Sequence, residues 1–175
     1  MSYGPGRSRL LQGALVGGGC WLVGFAATAL VLFVAFPDTQ SFLDDGFGWL
    51  AVIYALVVIW FVVVAVLGPD LFLLAMVAAG LLSSLLFVGG GALTVARVGG
   101  VDRPFEAAKV GATIGVGHVL LMAAALAFAD QGSIDQFTAT TRTFSLVFGG
   151  FLVPAAFGAV GGLLASQTDA IAGRF

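Results

Sequence analysis

Charge is the first thing this sequence has little of. Seven basic and nine acidic residues leave 9% of its 175 positions charged, while 60% are hydrophobic and the mean hydropathy is +1.11. A water-soluble fold of that length needs a charged shell, and so few ionised side chains cannot cover one; the surrounding solvent must be lipid. The single cysteine, Cys20, excludes an intramolecular disulfide and a cysteine metal framework. Cys20 and the single histidine, His118, are the only soft ligands, and two do not complete a tetrahedral set, so no metal site is expected. Basic clusters are missing beyond the spaced Arg7 and Arg9, which excludes nucleic acid as a partner. No Ser/His/Asp constellation, intramembrane carboxylate pair or HExxH helix is present, and the acidic residues fall in predicted loops or tails. The expectation is a protein that is not an enzyme and holds no cofactor. Lys109 is the sole lysine, and Ala, Val, Gly and Leu dominate, a usage that fits a GC-rich or salt-adapted source.

Long uncharged runs are what the chain has in quantity. Arg7 and Arg9 precede an apolar run as they would in a secretory signal, but Leu10 to Phe36 holds 27 residues without a charge. At about 1.5 Å per residue that is roughly 40 Å of helix, enough to span a hydrocarbon core of about 30 Å, so it is read as a retained first span. Trp49 to Leu67, Leu71 to Ala96, Val110 to Ala129 and Phe144 to Ala165 also lack Asp, Glu, Lys and Arg. One helix from Trp49 to Ala96 would reach roughly 72 Å, so Gly68-Pro69-Asp70 is the break, with Asp70 as N-cap of the next segment. The expected fold is an all-α integral membrane protein, a single transmembrane domain over residues 1–175, multi-pass in the cell membrane, with five spans at about 10–36, 49–67, 71–96, 110–129 and 144–165. Trp49, at a span start, suits an interface anchor, and Arg97, at a span end, can snorkel.

Charge placement speaks for an alternative. Five spans put Arg7, Arg9 and Arg142 on one side and Arg97, Arg103, Lys109 and Arg174 on the other, and the positive-inside rule then favours neither orientation. Four spans plus a re-entrant segment at 71–96 would leave only Arg142 apart from the rest. A re-entrant loop must be shielded from lipid, because unpaired backbone groups there cost several kcal/mol each, and a small protein offers little shielding. Five spans are preferred on that ground.

Small residues recur at helical spacing, which lets helix backbones approach closely in lipid. Gly13, Gly17, Cys20, Gly24 and Thr28 share one face of the first span; Gly111, Gly115, His118 and Met122 share one face of the fourth; Gly158 and Gly162 mark a patch on the fifth. Gly13 to Leu22 also resembles Gly111 to Leu120, identical at half of ten positions, a relation that would be inverted with five spans and parallel with four. Gly89-Gly-Gly91 has no flanking strand or Lys-Thr pair and is read as a closely packed turn of helix, not a phosphate cradle. Pro154 removes the partner of the Gly150 carbonyl four residues earlier, so a kink is expected there.

His118 is the one ionisable side chain near the middle of a span. Sharing a stripe with Gly111 and Gly115, it should point into the bundle, where a neutral ring can hydrogen-bond a backbone carbonyl, Thr28 or Ser83. With Cys20 and Thr28 it forms the candidate intramembrane polar site, although a packed, satisfied histidine is the commoner outcome. The three tryptophans and two tyrosines are too few to read as an aromatic cage.

Gln12-Gly-Ala-Leu-Val-Gly, Leu22-Val-Gly-Phe25, Glu106-Ala-Ala-Lys-Val-Gly-Ala-Thr-Ile-Gly-Val-Gly-His118 and Phe151-Leu-Val-Pro-Ala-Ala-Phe-Gly-Ala-Val-Gly-Gly162 resemble a family of haloarchaeal multi-span membrane proteins. The resemblance covers the first, fourth and fifth spans. It implies a membrane domain of about five helices, of unknown function and with no catalytic residue to carry over; His118 stands where a tyrosine is usual. Two functional expectations follow. The preferred one is a non-catalytic packing or accessory component that associates with itself or with another membrane protein through its glycine faces. The other is a small permease or channel component with His118 beside a solute or proton path.

Overall fold

The computed structural model describes residues 5–35, 54, 71–101, 103–129 and 139–172, and the regular elements among them are all helical. They are α1 (Pro5–Ala35), α2 (Leu71–Val98), α3 (Pro104–Ala112), α4 (Ile114–Ala129), α5 (Ala139–Phe144), a π-helical stretch (Ser145–Leu152) and α6 (Val153–Ala172). Four rods, over Arg9–Val31, Val77–Val98, Pro104–Ala127 and Arg142–Thr168, are long and apolar enough to cross a membrane.

Local chemistry explains where the rods stop and bend. α2 ends because Gly99 and Gly100 both take positive φ, 65° and 60°, which costs a residue without Cβ nothing; the Gly99 N–H closes on the Val95 carbonyl at 3.0 Å. α3 starts with Pro104, whose fixed φ suits a first turn and whose missing N–H is no loss there. α3 and α4 are one rod interrupted at Thr113, where the N–H bonds back three residues to the Val110 carbonyl at 3.2 Å and the hydroxyl donates to the same oxygen. In the last rod the turn ahead of Pro154 widens into the π-helical stretch, its end marked by the Val153 N–H reaching five residues back to Phe148. Proline has no N–H for the carbonyl four residues earlier and its ring crowds that carbonyl, so the expected kink takes the form of a π bulge.

Helix directions follow from the contacts. Cys20 meets Leu86 and Val16 meets Gly90, so α1 and α2 are antiparallel. Gly13 lies against Thr113, Ala14 against Gly117 and Gly18 against Leu121, so α1 and the α3–α4 rod run parallel. Gly162 faces Ala107, Gly158 faces Gly111 and Gly150 faces Met122, which makes α6 antiparallel to that rod. A five-span path would have run α1 parallel to α2 and antiparallel to α4; the described helices do the reverse. The expected span 49–67 lies outside the described residues, apart from Tyr54, as do Trp49 and Asp70. The re-entrant alternative at 71–96 is also corrected, because α2 is one uninterrupted helix of 28 residues, about 42 Å long. Among the described residues the basic positions nonetheless divide as that alternative had them, while Arg174 lies outside the described residues. Arg7, Arg9, Arg97, Arg103 and Lys109 gather at one end, and Arg142 lies at the other.

The bundle has an apolar core, but unlike a soluble protein it also has an apolar exterior. Leu11, Leu15, Leu22, Leu30, Leu85 and Leu120 point outward, whereas Ser83, Thr94, His118 and most of the interhelical glycines are buried. Lipid tails are as apolar as leucine, so nothing drives leucine inward; close backbone approach and interior hydrogen bonds hold the helices instead. Ser83, Ser84 and Thr94 each donate to the carbonyl four residues earlier in α2, which hides their hydroxyls within the helix.

A buried polar centre at His118

The centre is built from four helical rods and one residue outside them. The α3–α4 rod carries His118 on the face that its glycines clear, and the ring is fully buried. His118 Nδ1 lies 3.0 Å from the Gly150 carbonyl oxygen. That oxygen can only accept, so Nδ1 carries the proton, and in a neutral ring Nε2 is left as acceptor. Tyr54 Oη, 3.3 Å from Nε2, therefore donates its hydroxyl proton there. Both ring nitrogens are occupied by partners within the chain.

Pro154 and His118 are two halves of one device. The proline has no N–H to offer the Gly150 carbonyl four residues earlier, and the histidine donates to that oxygen from the neighbouring helix. Aromatic rings seal the pair. Phe87 stands edge-on to His118 at 5.0 Å, and Trp21 and Phe25, stacked on each other at 4.8 Å, both meet Tyr54 edge-on at 6.0 Å. Such offset and T-shaped contacts suit the ring quadrupoles. Gly24 makes room for this group, because a Cβ there would strike the Tyr54 hydroxyl. Phe25 and Phe87 thus join Trp21 around the Tyr54–His118 pair, which is ring packing and not a ligand cage.

The three expected polar residues do not converge on one point. Cys20 turns into the α1–α2 seam, its Sγ 3.4 Å from the Leu86 carbonyl. Thr28 is buried with no hydrogen-bond partner among the described residues, as is Trp21 Nε1, two turns earlier on the same face of α1. Ser83 stands beside the Tyr54 hydroxyl, but its own proton goes to the Ala79 carbonyl 2.9 Å away, so it is not poised as a nucleophile toward His118. Among the described residues no group of three His, Cys, Asp or Glu side chains comes together in a way that could hold a metal ion.

The seven glycines expected at helix interfaces all meet other parts of this chain. A Cβ on Gly13 would strike Thr113, on Gly17 the Ile114 backbone, on Gly111 the Gly158 backbone, and on Gly162 the Ala107 backbone. Gly158 packs against Gly111 and Ile114, and Gly115 against Ala155 and Phe151. These faces are thus consumed inside the bundle. Three further contacts of the same kind have no counterpart among the expected positions: Gly91 on Gly158, Gly117 on Ala14 and Gly161 on Val88. Gly91 and Gly161 lie in glycine runs, and a run does not say which member faces a partner; Gly117 lies two residues from Gly115, on another face of the helix. The two similar segments, Gly13 to Leu22 and Gly111 to Leu120, lie side by side in parallel. At the basic end Lys109 pairs with Glu106 at 3.0 Å on the exposed face of α3 and lies over the Phe105 ring.

No family model, no curated protein and no solved structure matches this chain.

Proposed function

We propose that this chain is a non-catalytic, multi-pass component of a cell membrane, with its basic end on the cytoplasmic side and His118 serving as a structural latch. One observation carries this reading: the only imidazole is buried with both nitrogens engaged, by Gly150 and Tyr54, inside a sealed aromatic shell, leaving no lone pair or proton for a passing solute. The gathering of Arg7, Arg9, Arg97, Arg103 and Lys109 at one end supports the orientation. The sequence resemblance to haloarchaeal multi-span proteins belongs to the same proposal. Because the glycine faces are used internally, an association with another membrane protein or a second copy would have to use the outer leucine-rich faces.

The latch is tested by His118→Ala. Loss of the ring removes its hydrogen bonds to the Gly150 carbonyl and the Tyr54 hydroxyl and opens a cavity, so stability in detergent should fall by about 2–4 kcal/mol. Reconstituted vesicles should show no pH-dependent flux that the substitution alters. Orientation is tested by Arg103→Cys and Thr143→Cys with an impermeant maleimide, since the native Cys20 is buried; only the second should label from outside the cell.

A small permease is the second reading, favoured by Trp21 Nε1 and Thr28 Oγ1, buried polar atoms without partners among the described residues. A flux that His118→Ala changes while the bundle stays folded would favour it over the latch.

A further inference from the structure

A groove of about 500 Å³ runs along the outside of the bundle between α1 and α2. It exists because Gly19 and Gly89 differ from the interfacial glycines: a Cβ on either would meet nothing within 4 Å. Their missing side chains leave a notch whose walls include the exposed Val23, Leu85 and Leu93, and whose end holds one charged group, Arg97. From Leu82 to Arg97 the groove follows about 22 Å of helix, more than the roughly 15 Å depth of one leaflet. Arg97 is exposed in the last turn of α2 and has no carboxylate partner among the described residues.

We propose that this groove binds one anionic glycerophospholipid of the leaflet at the basic end, an acyl chain lying over Gly19 and Gly89 and the headgroup phosphate meeting Arg97. Guanidinium is the side chain best matched to phosphate oxygens, and the apolar notch accepts a chain too slender to be a helix. A second copy fits less well. An isologous dimer through this face, with both copies oriented alike in one membrane, would bring Arg97 beside Arg97. Lipid binding here requires only that the chain lies in a membrane; it depends neither on the latch nor on the orientation proposed above.

The test uses the full chain reconstituted in vesicles of phosphatidylcholine and phosphatidylglycerol, gently extracted and examined by native mass spectrometry. One retained phosphatidylglycerol per chain is expected. Arg97→Gln should lower its retention about fivefold, Arg97→Lys should lower it less, and Gly19→Leu with Gly89→Leu should displace it. Equal retention of both lipids by the wild type, or retention that Arg97→Gln leaves unchanged, overturns the proposal. So does a change in oligomeric state, with lipid count unaltered, on filling the groove. Release of the lipid by added inorganic phosphate at the headgroup's own concentration would show that the acyl chain contributes nothing and would overturn it as well. If the double leucine variant does not fold, the arginine variants decide the matter alone.

Discussion

Two groups of glycines in this bundle are used in opposite ways. Between α1 and the α3–α4 rod, and between that rod and α6, a Cβ at Gly17, Gly111, Gly117 or Gly162 would collide with backbone atoms of the facing helix. Along the outer side of the α1–α2 seam, Gly19 and Gly89 face empty space. The residue type is the same and the helices are partly the same, yet one set joins backbones and the other keeps a groove open. In lipid the first use supplies cohesion that the hydrophobic effect cannot, and the second shapes a surface toward the bilayer.

The contrast breaks most visibly at the closed seams. Gly17→Ala and Gly161→Ala force apart helices that rest on each other's carbonyls, and a cost of about 3 kcal/mol is expected for each, even after a gain of roughly 1 kcal/mol in helix propensity. Reversible unfolding in mixed micelles would measure it, and a neutral result would mean that the seams are not closed as described. A smaller effect is expected where the π bulge meets the polar centre. Pro154→Ala restores an N–H that competes with His118 for the Gly150 carbonyl, so the imidazole Nδ1 proton should exchange faster in NMR while stability changes by about 1 kcal/mol or less. The smallest effect, with the sign reversed, belongs to the groove. Gly19→Ala and Gly89→Ala add a methyl into open space and should stabilise the fold by a few tenths to about 1 kcal/mol on the same scale. Destabilisation there would erase the distinction between the two groups of glycines.

Much of the polar centre is legible in the sequence. His118 on the stripe of Gly111 and Gly115, and the carbonyl that Pro154 leaves without a donor at Gly150, are each visible from spacing alone. That they belong together is not, because 32 residues separate them and only the antiparallel pairing of α4 with the last rod brings them to 3.0 Å. Tyr54 is further out of reach, lying 64 residues from the nitrogen to which it donates. Thr28 and Cys20 share the right face of α1, but a face spans several neighbours, and Cys20 turns to the α2 side instead.

Composition and uninterrupted apolar length decided by themselves that this chain is helical and suited to lipid, since neither property depends on which helix meets which. Local chemistry likewise determined the bend before Pro154. Helix direction was a tertiary matter. The positions of α1 and α2 along the sequence do not say whether residues 35 and 71 lie at the same end, and the Cys20–Leu86 and Val16–Gly90 contacts do. The same holds for glycine. A stripe at helical spacing says that backbones can approach, and only packing reveals whether one has, which is why Gly17 joins two helices while Gly19, two residues on, opens a groove.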